Sequence, residues 1–197
     1  MRNDLLRASR DRLLALLTER SFERREVTLA SGKRSNFYVD TKQTTLDAEG
    51  AVLVGRLLFH EIQRRERENQ VRYDGVGGLT LGADPIATAV SMTSALAGAP
   101  IPAFIVRKEP KGHGTGAYIE GMKNLEPGAR VVIVEDVVTT GGSAEKAIQR
   151  ARDAGFVVDV VFGLVDRLEG GRQALERLDV RLVTLYTRTD FIDEDVI

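Results

Sequence analysis

The sequence predicts an α/β fold: a mostly parallel central sheet with helices on both faces, preceded by a small N-terminal appendage. Three observations carry this expectation. From residue 74 onward, apolar runs recur at 74–79, 101–106, 129–136, 156–165 and 181–186, each too continuous for a half-exposed strand and therefore suited to strands buried on both faces. Helix-patterned stretches at 83–97, 143–154 and 171–178 separate most of these runs, and repeated strand-helix-strand order folds into a parallel sheet. Finally, the 197 residues are 43% apolar and 29% charged, with no internal repeat, low-complexity linker or break in composition. That suits one domain, with about 1–43 forming the appendage and about 44–197 the core.

Within the appendage, leucines at 5, 6, 13, 14, 16 and 17 separated by charged residues give a helix at about 3–20 with one apolar face. The segment VTLASGKRSNFYVD follows. Its two strand-like pieces, 27–29 and 37–40, flank the Ser31-Gly32-Lys33 turn and read as a hairpin. Thr44-x-x-Asp47 has the form of a capping box and opens a long amphipathic helix to about Arg67, with the charged QRRERENQ as its solvated end. His60 falls inside that helix and is expected to be structural.

Charge and composition exclude several classes of function. With 28 basic against 29 acidic residues and a net charge of −1, the chain lacks the basic excess that general binding to nucleic acid or anionic membranes requires, so any anion must be met by a local site. Cysteine is absent, which removes thiol catalysis, thiolate metal sites and disulfides. Neither MRNDLLRASRDR at the N-terminus nor any later segment has the apolar length of a signal peptide or membrane span, and a cytoplasmic location is expected.

Ligands of open α/β sheets bind beyond the carboxyl ends of the strands. There the run VVIVEDVVTTGGSAEKA stands out: an apolar strand, the adjacent carboxylates Glu135 and Asp136, the hydroxyls Thr139, Thr140 and Ser143 around Gly141-Gly142, and then a helix. Glycines let backbone N–H groups turn inward, hydroxyls add donors, and the helix start supplies partial positive charge, which together cradle a phosphate. Ionised carboxylates only accept, so Glu135 and Asp136 suit vicinal sugar hydroxyls. The implied ligand is a sugar phosphate, and the run is neither a Walker loop nor a dinucleotide fingerprint.

The stretch 131–144 resembles the phosphoribosyl-diphosphate signature of the type I phosphoribosyltransferases, in which the two acids, Val137, Val138 and the Thr-Thr-Gly-Gly-Ser run all contribute. Three further pieces resemble the orotate phosphoribosyltransferase family: SGKRSNFYVD at 31–40, VGGLTLGADPIA at 76–87 and RKEPKGHGTG at 107–116. With LVDR at 164–167 the likeness spans about 27–167 in the family's order. It implies the type I phosphoribosyltransferase fold with an N-terminal hood, and transfer of ribose 5-phosphate from phosphoribosyl diphosphate to orotate in pyrimidine nucleotide biosynthesis. Mg²⁺ would be held mainly through the substrate diphosphate and ribose hydroxyls, without a dedicated protein metal site.

The residues of the other motifs fit these roles. Arg107, Lys108, Lys111 and His113 lie in a glycine-rich cationic loop able to stabilise charge on a departing diphosphate, and by the family likeness that loop completes the neighbouring subunit's site in a homodimer. Arg167, ending a core strand, suits the carboxylate of orotate, with a surface arginine paired to Asp166 as the alternative. Phe37 and Tyr38 close over the flat base or serve only in packing, and Thr139 completes the orotate set. The Gly-Gly and further glycine, Gly82, of VGGLTLGADPIA bring backbone N–H groups toward the diphosphate or form a plain strand-to-helix turn, with Asp84 and Pro85 opening the helix that follows. Some family members carry lysines where this chain has Ala30 and the run Leu79-Thr80-Leu81, which leaves Lys33, Lys42 or the cationic loop to grip the diphosphate. A purine phosphoribosyltransferase and a non-catalytic sensor of phosphoribosyl diphosphate are the competing readings.

Overall fold

A computed structural model of the chain describes residues 2–24, 27–28, 34–35, 37–110 and 118–192. Helix α1 (Arg2–Arg20) leads into the two-residue strands β1 (Phe22–Glu23), β2 (Val27–Thr28), β3 (Arg34–Ser35) and β4 (Tyr38–Val39), the one-turn helix α2 (Lys42–Thr45) and the long helix α3 (Ala48–Asn69). Then come β5 (Gly75–Leu79), α4 (Ala83–Leu96), β6 (Ala103–Val106), β7 (Ile119–Glu120), β8 (Val131–Val138), α5 (Gly142–Asp153), β9 (Val160–Asp166), α6 (Gly171–Glu176) and β10 (Arg181–Thr187).

The central sheet has six strands in the order β10-β9-β8-β5-β6-β7. All neighbours run parallel except β7, which returns antiparallel along β6 through Ile105↔Glu120 and Val106↔Ile119. The apolar runs become strands because both faces of the sheet are covered. In β8, Val132 and Val134 join the core shared with α3 and α4, whereas Val131 and Ile133 join the core under α5 and α6. Period-2 alternation thus feeds two apolar layers from one strand, and each side chain of this size removed from water contributes roughly 1.5–3 kcal/mol. The appendage docks on the first layer through Leu13, Leu16 and Leu17 of α1, while Leu5 of the same leucine set is 59% exposed. Phe22, Phe37 and Phe191 form an aromatic cluster with ring centroids 5.1–5.7 Å apart, and Tyr186 Oη donates to the Arg10 carbonyl at 2.7 Å.

Three local expectations change. Residues 27–28 pair with 34–35, not with 37–40: β2 and β3 match Val27↔Ser35, while β4 pairs with β1 through Phe22↔Val39. Phe37 and Val39 alternate inward, at 1% and 9% exposure, and that burial against Phe22 draws the second piece back to the end of α1. The expected turn at 31–33 lies outside the described residues. Thr44 does not cap the long helix. It is buried in α2 with its hydroxyl 2.7 Å from that of Ser21, and Asp47 is the cap, its carboxylate accepting from the Glu49 and Gly50 amides at 3.1 Å. The strand expected at 156–165 starts at Val160, Val157 making only an isolated bridge to Arg130.

Chain order reverses between β5 and β8: from β5 the chain moves outward to β6 and β7, then returns across β5 to place β8 on its other side. Such a switch point opens a crevice at the carboxyl ends of the two strands, which is where ligands of open α/β sheets bind.

Candidate active site

Three turns meet at this crevice: 80–82 after β5, 139–141 after β8 and 167–170 after β9. The middle one is the expected cradle. Gly141 has φ +90°, a conformation natural to glycine, and a Cβ there would lie 3.3 Å from the Gly171 carbonyl and the Ala174 side chain, so both backbone shape and close packing call for glycine. The Gly141 carbonyl accepts the first bond of α5 from the Glu145 amide at 2.8 Å, leaving earlier amides of the helix for an outside acceptor. Thr140 and Ser143 are exposed, and Thr139 and Gly142 are half-buried. The twelve residues of α5 supply a helix N-terminus directly behind them.

The acids lie two residues short of the end of β8 rather than at its end, because Val137 and Val138 continue the pairing with Val165 and Asp166 of β9. Asp136 is half-buried, faces the first turn and is tied to three segments. Thr41 Oγ1 donates to its Oδ2 at 3.2 Å, the Val137 amide donates to its Oδ1 at 2.9 Å, and a Cβ on Gly82 would sit 2.4 Å from its carboxyl carbon. Gly82 is therefore the residue that lets a carboxylate stand in the crevice. Glu135 lies deeper, 7% exposed, with Oε2 making no hydrogen bond. Burial first, and then the negative charge of Asp136, push its carboxyl up to about 8, against the smaller opposing pull of Lys108.

Arg167 begins the third turn. Its amide donates to the Val138 carbonyl at 2.9 Å, which fixes its backbone beside Thr139. The residue is 8% exposed, so the surface arginine paired to Asp166 is not what forms. The guanidinium meets Glu169 at 2.9 Å and stands 5.5 Å from the centroid of the Phe37 ring. Asp166 instead accepts from the Leu168 amide at 2.8 Å. Phe37 serves the aromatic core and also forms a wall beside Arg167, whereas Tyr38 is half-buried on the neighbouring strand.

The cationic loop leaves from β6. Arg107 pairs with Glu120 at 3.0 Å, and its amide donates to the Tyr118 carbonyl at 2.8 Å, closing the base of the loop. Arg150 of α5 braces that base, donating to the Arg107 carbonyl and, at 2.9 Å, to the Lys108 carbonyl, with its guanidinium 4.1 Å over the Tyr118 ring. Lys108 is exposed; Lys111 and His113 lie outside the described residues. Lys33 does too, whereas Lys42 reaches toward Asp136: its ammonium pairs with Asp40 at 2.7 Å, and that hydrogen bond, with the charges of Asp40 and Asp136, raises its pKa. Asp84 accepts from Thr80 Oγ1 at 2.6 Å at the start of α4.

The structure thus brings together the acids, the cradle, Arg167, Phe37 and the stem of the cationic loop. Thr41, Arg150 and Glu169 escaped the sequence reading, and Gly82 entered it only as a place for backbone to approach the diphosphate, not as the space for Asp136. Of the first three, only Glu169 left a signal there, as a charge two residues beyond Arg167 in DRLEGG. Among the described residues no cluster of three or more His, Asp or Glu forms a metal site.

No family model matches the chain. It is 48% identical over 188 residues to the orotate phosphoribosyltransferase of Sorangium cellulosum, an alignment covering 95% of each chain. Among solved structures it is similar to the Mycobacterium tuberculosis orotate phosphoribosyltransferase, with a TM-score of 0.77 and 40% identity over 93% of this chain and 98% of that one. A second structure of that enzyme, in complex with 5-phospho-α-D-ribosyl 1-diphosphate, matches with a TM-score of 0.72 and 38% identity over the same shares. Identity of this level over nearly the full length, with a mostly parallel sheet that carries cradle, acids and arginine on adjacent strand ends, makes the chain a member of the orotate phosphoribosyltransferase family, with the type I phosphoribosyltransferase fold.

Proposed function

We propose that this chain transfers the 5-phosphoribosyl group from phosphoribosyl diphosphate to orotate, releasing diphosphate and forming orotidine 5′-phosphate in pyrimidine biosynthesis. The observation that carries it is the alignment of three chemically different groups along adjacent strand ends: an anion cradle, a carboxylate for sugar hydroxyls, and a buried guanidinium for an acidic base. A purine offers Arg167 no carboxylate, and every relative described above carries the orotate name. The test is loss of orotate ultraviolet absorbance on adding phosphoribosyl diphosphate and Mg²⁺, with hypoxanthine, adenine and uracil in parallel. Orotate alone should be consumed. Turnover of a purine would replace this reading, and binding of the diphosphate without turnover would make the chain a sensor.

In this mechanism the 5-phosphate sits on the amides and hydroxyls of 139–143, and Asp136, with Glu135 behind it, accepts from the ribose hydroxyls. Arg167 grips the orotate carboxylate beside Thr139, with Phe37 and Tyr38 as the wall of the base site. The transition state has oxocarbenium character, so holding the anomeric carbon in line between base and diphosphate contributes more than a covalent nucleophile would. Arg107, Lys108, Lys111 and His113 offset the charge that develops on the diphosphate. Two oxygen-donor carboxylates, one of them buried with an unbonded oxygen, fit a nearby Mg²⁺ that is bound chiefly by substrate. When bound, that ion neutralises diphosphate charge.

We infer a homodimer in which the 107–116 loop serves the neighbouring site. Leu81, Met92 and Leu96 are 62–88% exposed, the last two stand one turn apart on α4, and Ile105 is partly open on β6. Exposed apolar side chains of this kind along α4 support a second copy as their cover. The hood and core form one domain, supported by the packing of α1 on α3. Phosphorylated substrates do not cross membranes, which favours a cytoplasmic enzyme; no helix among the described residues is long and apolar enough to span one.

A further inference from the structure

The turn after β9 is built around Glu169. Leu168 before it has φ +58° and Gly170 after it φ +95°, so two consecutive left-handed corners flank one glutamate. Glycine adopts that conformation freely, but leucine does so against its own Cβ, and such a residue persists only where its surroundings fix it. Here the Leu168 amide is held by Asp166 Oδ1 at 2.8 Å. The fold back aims the Glu169 carboxylate at the guanidinium of Arg167, 2.9 Å away, with the two side chains only 21% and 10% exposed. The pair stands beside the cradle, since a Cβ on the next residue, Gly171, would lie 2.7 Å from the Thr139 carbonyl.

A guanidinium this deep is costly to leave unpaired, and Glu169 supplies a counter-charge to it. A substrate carboxylate asks for the same donors. We propose that Glu169 is a built-in competitor for the substrate carboxylate, occupying Arg167 between turnovers and yielding it to orotate. This inference rests on the assignment of Arg167 to the orotate carboxylate. Orotate exchanges one charge-assisted pair for another, whereas a neutral pyrimidine has nothing to exchange and leaves the internal pair in place. The enzyme gains a charge-paired arginine between turnovers and easier release of a product that carries the same carboxylate, at the expense of orotate affinity.

If the internal pair is formed most of the time, apparent orotate affinity is lowered by the fraction of molecules in which Arg167 is available. Glu169→Gln keeps the shape and one acceptor but removes the charge. It should lower the KM for orotate about fivefold. The KM for phosphoribosyl diphosphate and the inhibition constant of uracil should each move less than twofold. Glu169→Ala should act in the same direction, and a cooperative thermal melt of each variant verifies folding. Should neither fold, Glu169→Asp, which withdraws the carboxylate by one methylene, should still lower the orotate KM. A raised orotate KM would make Glu169 a positioning residue for Arg167; an unchanged value, or equal falls for both substrates, would also overturn the proposal. Arg167→Met run alongside separates the two layers. If it weakens both substrates equally, the assignment of Arg167 fails; if it weakens orotate alone while the Glu169 variants show no gain, only the competitor fails.

Discussion

The cradle at the end of β8 and the arginine turn at the end of β9 lie side by side but are built by opposite means. The cradle is contiguous: five residues, the three between β8 and α5 and the first two of the helix, present mainly backbone amides and short hydroxyls, and its shape depends on one left-handed glycine packed on Gly171. The arginine side is composite. Arg167 is held by its own amide on Val138, by Glu169 two residues on, and by Phe37 from the hood, 130 positions earlier in the numbering. On the β5 side of the cradle stands Asp136, itself fixed by Thr41 of the hood and by the space that Gly82 leaves. Recognition of phosphate is thus a local property of the backbone, whereas recognition of the base depends on docking the hood against the core.

The strongest way to break the comparison is at this carboxylate, which belongs to the sugar that joins the two ends. Asp136→Asn keeps the shape and the fold but removes the charge that orients the sugar hydroxyls, and turnover should fall at least ~100-fold. Near-normal kcat and KM in a folded variant would remove Asp136 from the mechanism. Gly82→Ala approaches the same carboxylate from the other side. Its backbone φ of −61° suits alanine, so the effect is steric, and displacement of Asp136 should lower kcat roughly tenfold with little change in thermal stability.

The cationic loop tests whether one site draws on two chains. When Lys111→Ala protein is mixed with Asp136→Asn protein and subunits exchange, half of the dimers are mixed, and one site in each mixed dimer combines an intact cradle with an intact loop. About a quarter of all sites should then recover activity. Verified exchange without recovery would assign the loop to its own subunit.

A smaller effect on turnover, and a purely thermodynamic one, is expected of Glu135. Its carboxyl is pushed up to about 8 in the folded chain, so between roughly pH 4.5 and 8 the folded state binds more protons than the unfolded one. Stability of the unliganded protein should therefore fall as pH rises through that window, by on the order of 1–3 kcal/mol, and Glu135→Gln should flatten the profile. Parallel pH profiles for the two proteins, read from thermal melts, would contradict the burial argument.

The same contrast explains what could be read from the sequence. The cradle was legible because its residues are adjacent and its chemistry depends on residue type: acids, hydroxyls and glycines in one run. The core strands were legible because burial on both faces leaves unbroken apolar runs. The hood was not. Two-residue strands carry no periodicity, and the pairing of 37–40 with β1 rather than 27–29 follows from burial of Phe37 on Phe22, a contact between segments whose local patterns are silent about each other. Thr44-x-x-Asp47 misled because both residues are good caps, and the choice of Asp47 is set by the bond between Thr44 and Ser21. Thr41 escaped notice, and Gly82 was read for the wrong partner, for the same reason, since their roles here exist only relative to Asp136.

The account turns most directly on whether the two ends of the site are separable, and Arg167→Met measures this in a single set of KM values. A charge-assisted hydrogen bond contributes ~1.5–3 kcal/mol, so orotate affinity should fall roughly 10- to 150-fold while affinity for phosphoribosyl diphosphate stays near its original value. Equal losses for the two substrates would return Arg167 to the scaffold and contradict the division between a phosphate end read by backbone and a base end read by a buried guanidinium.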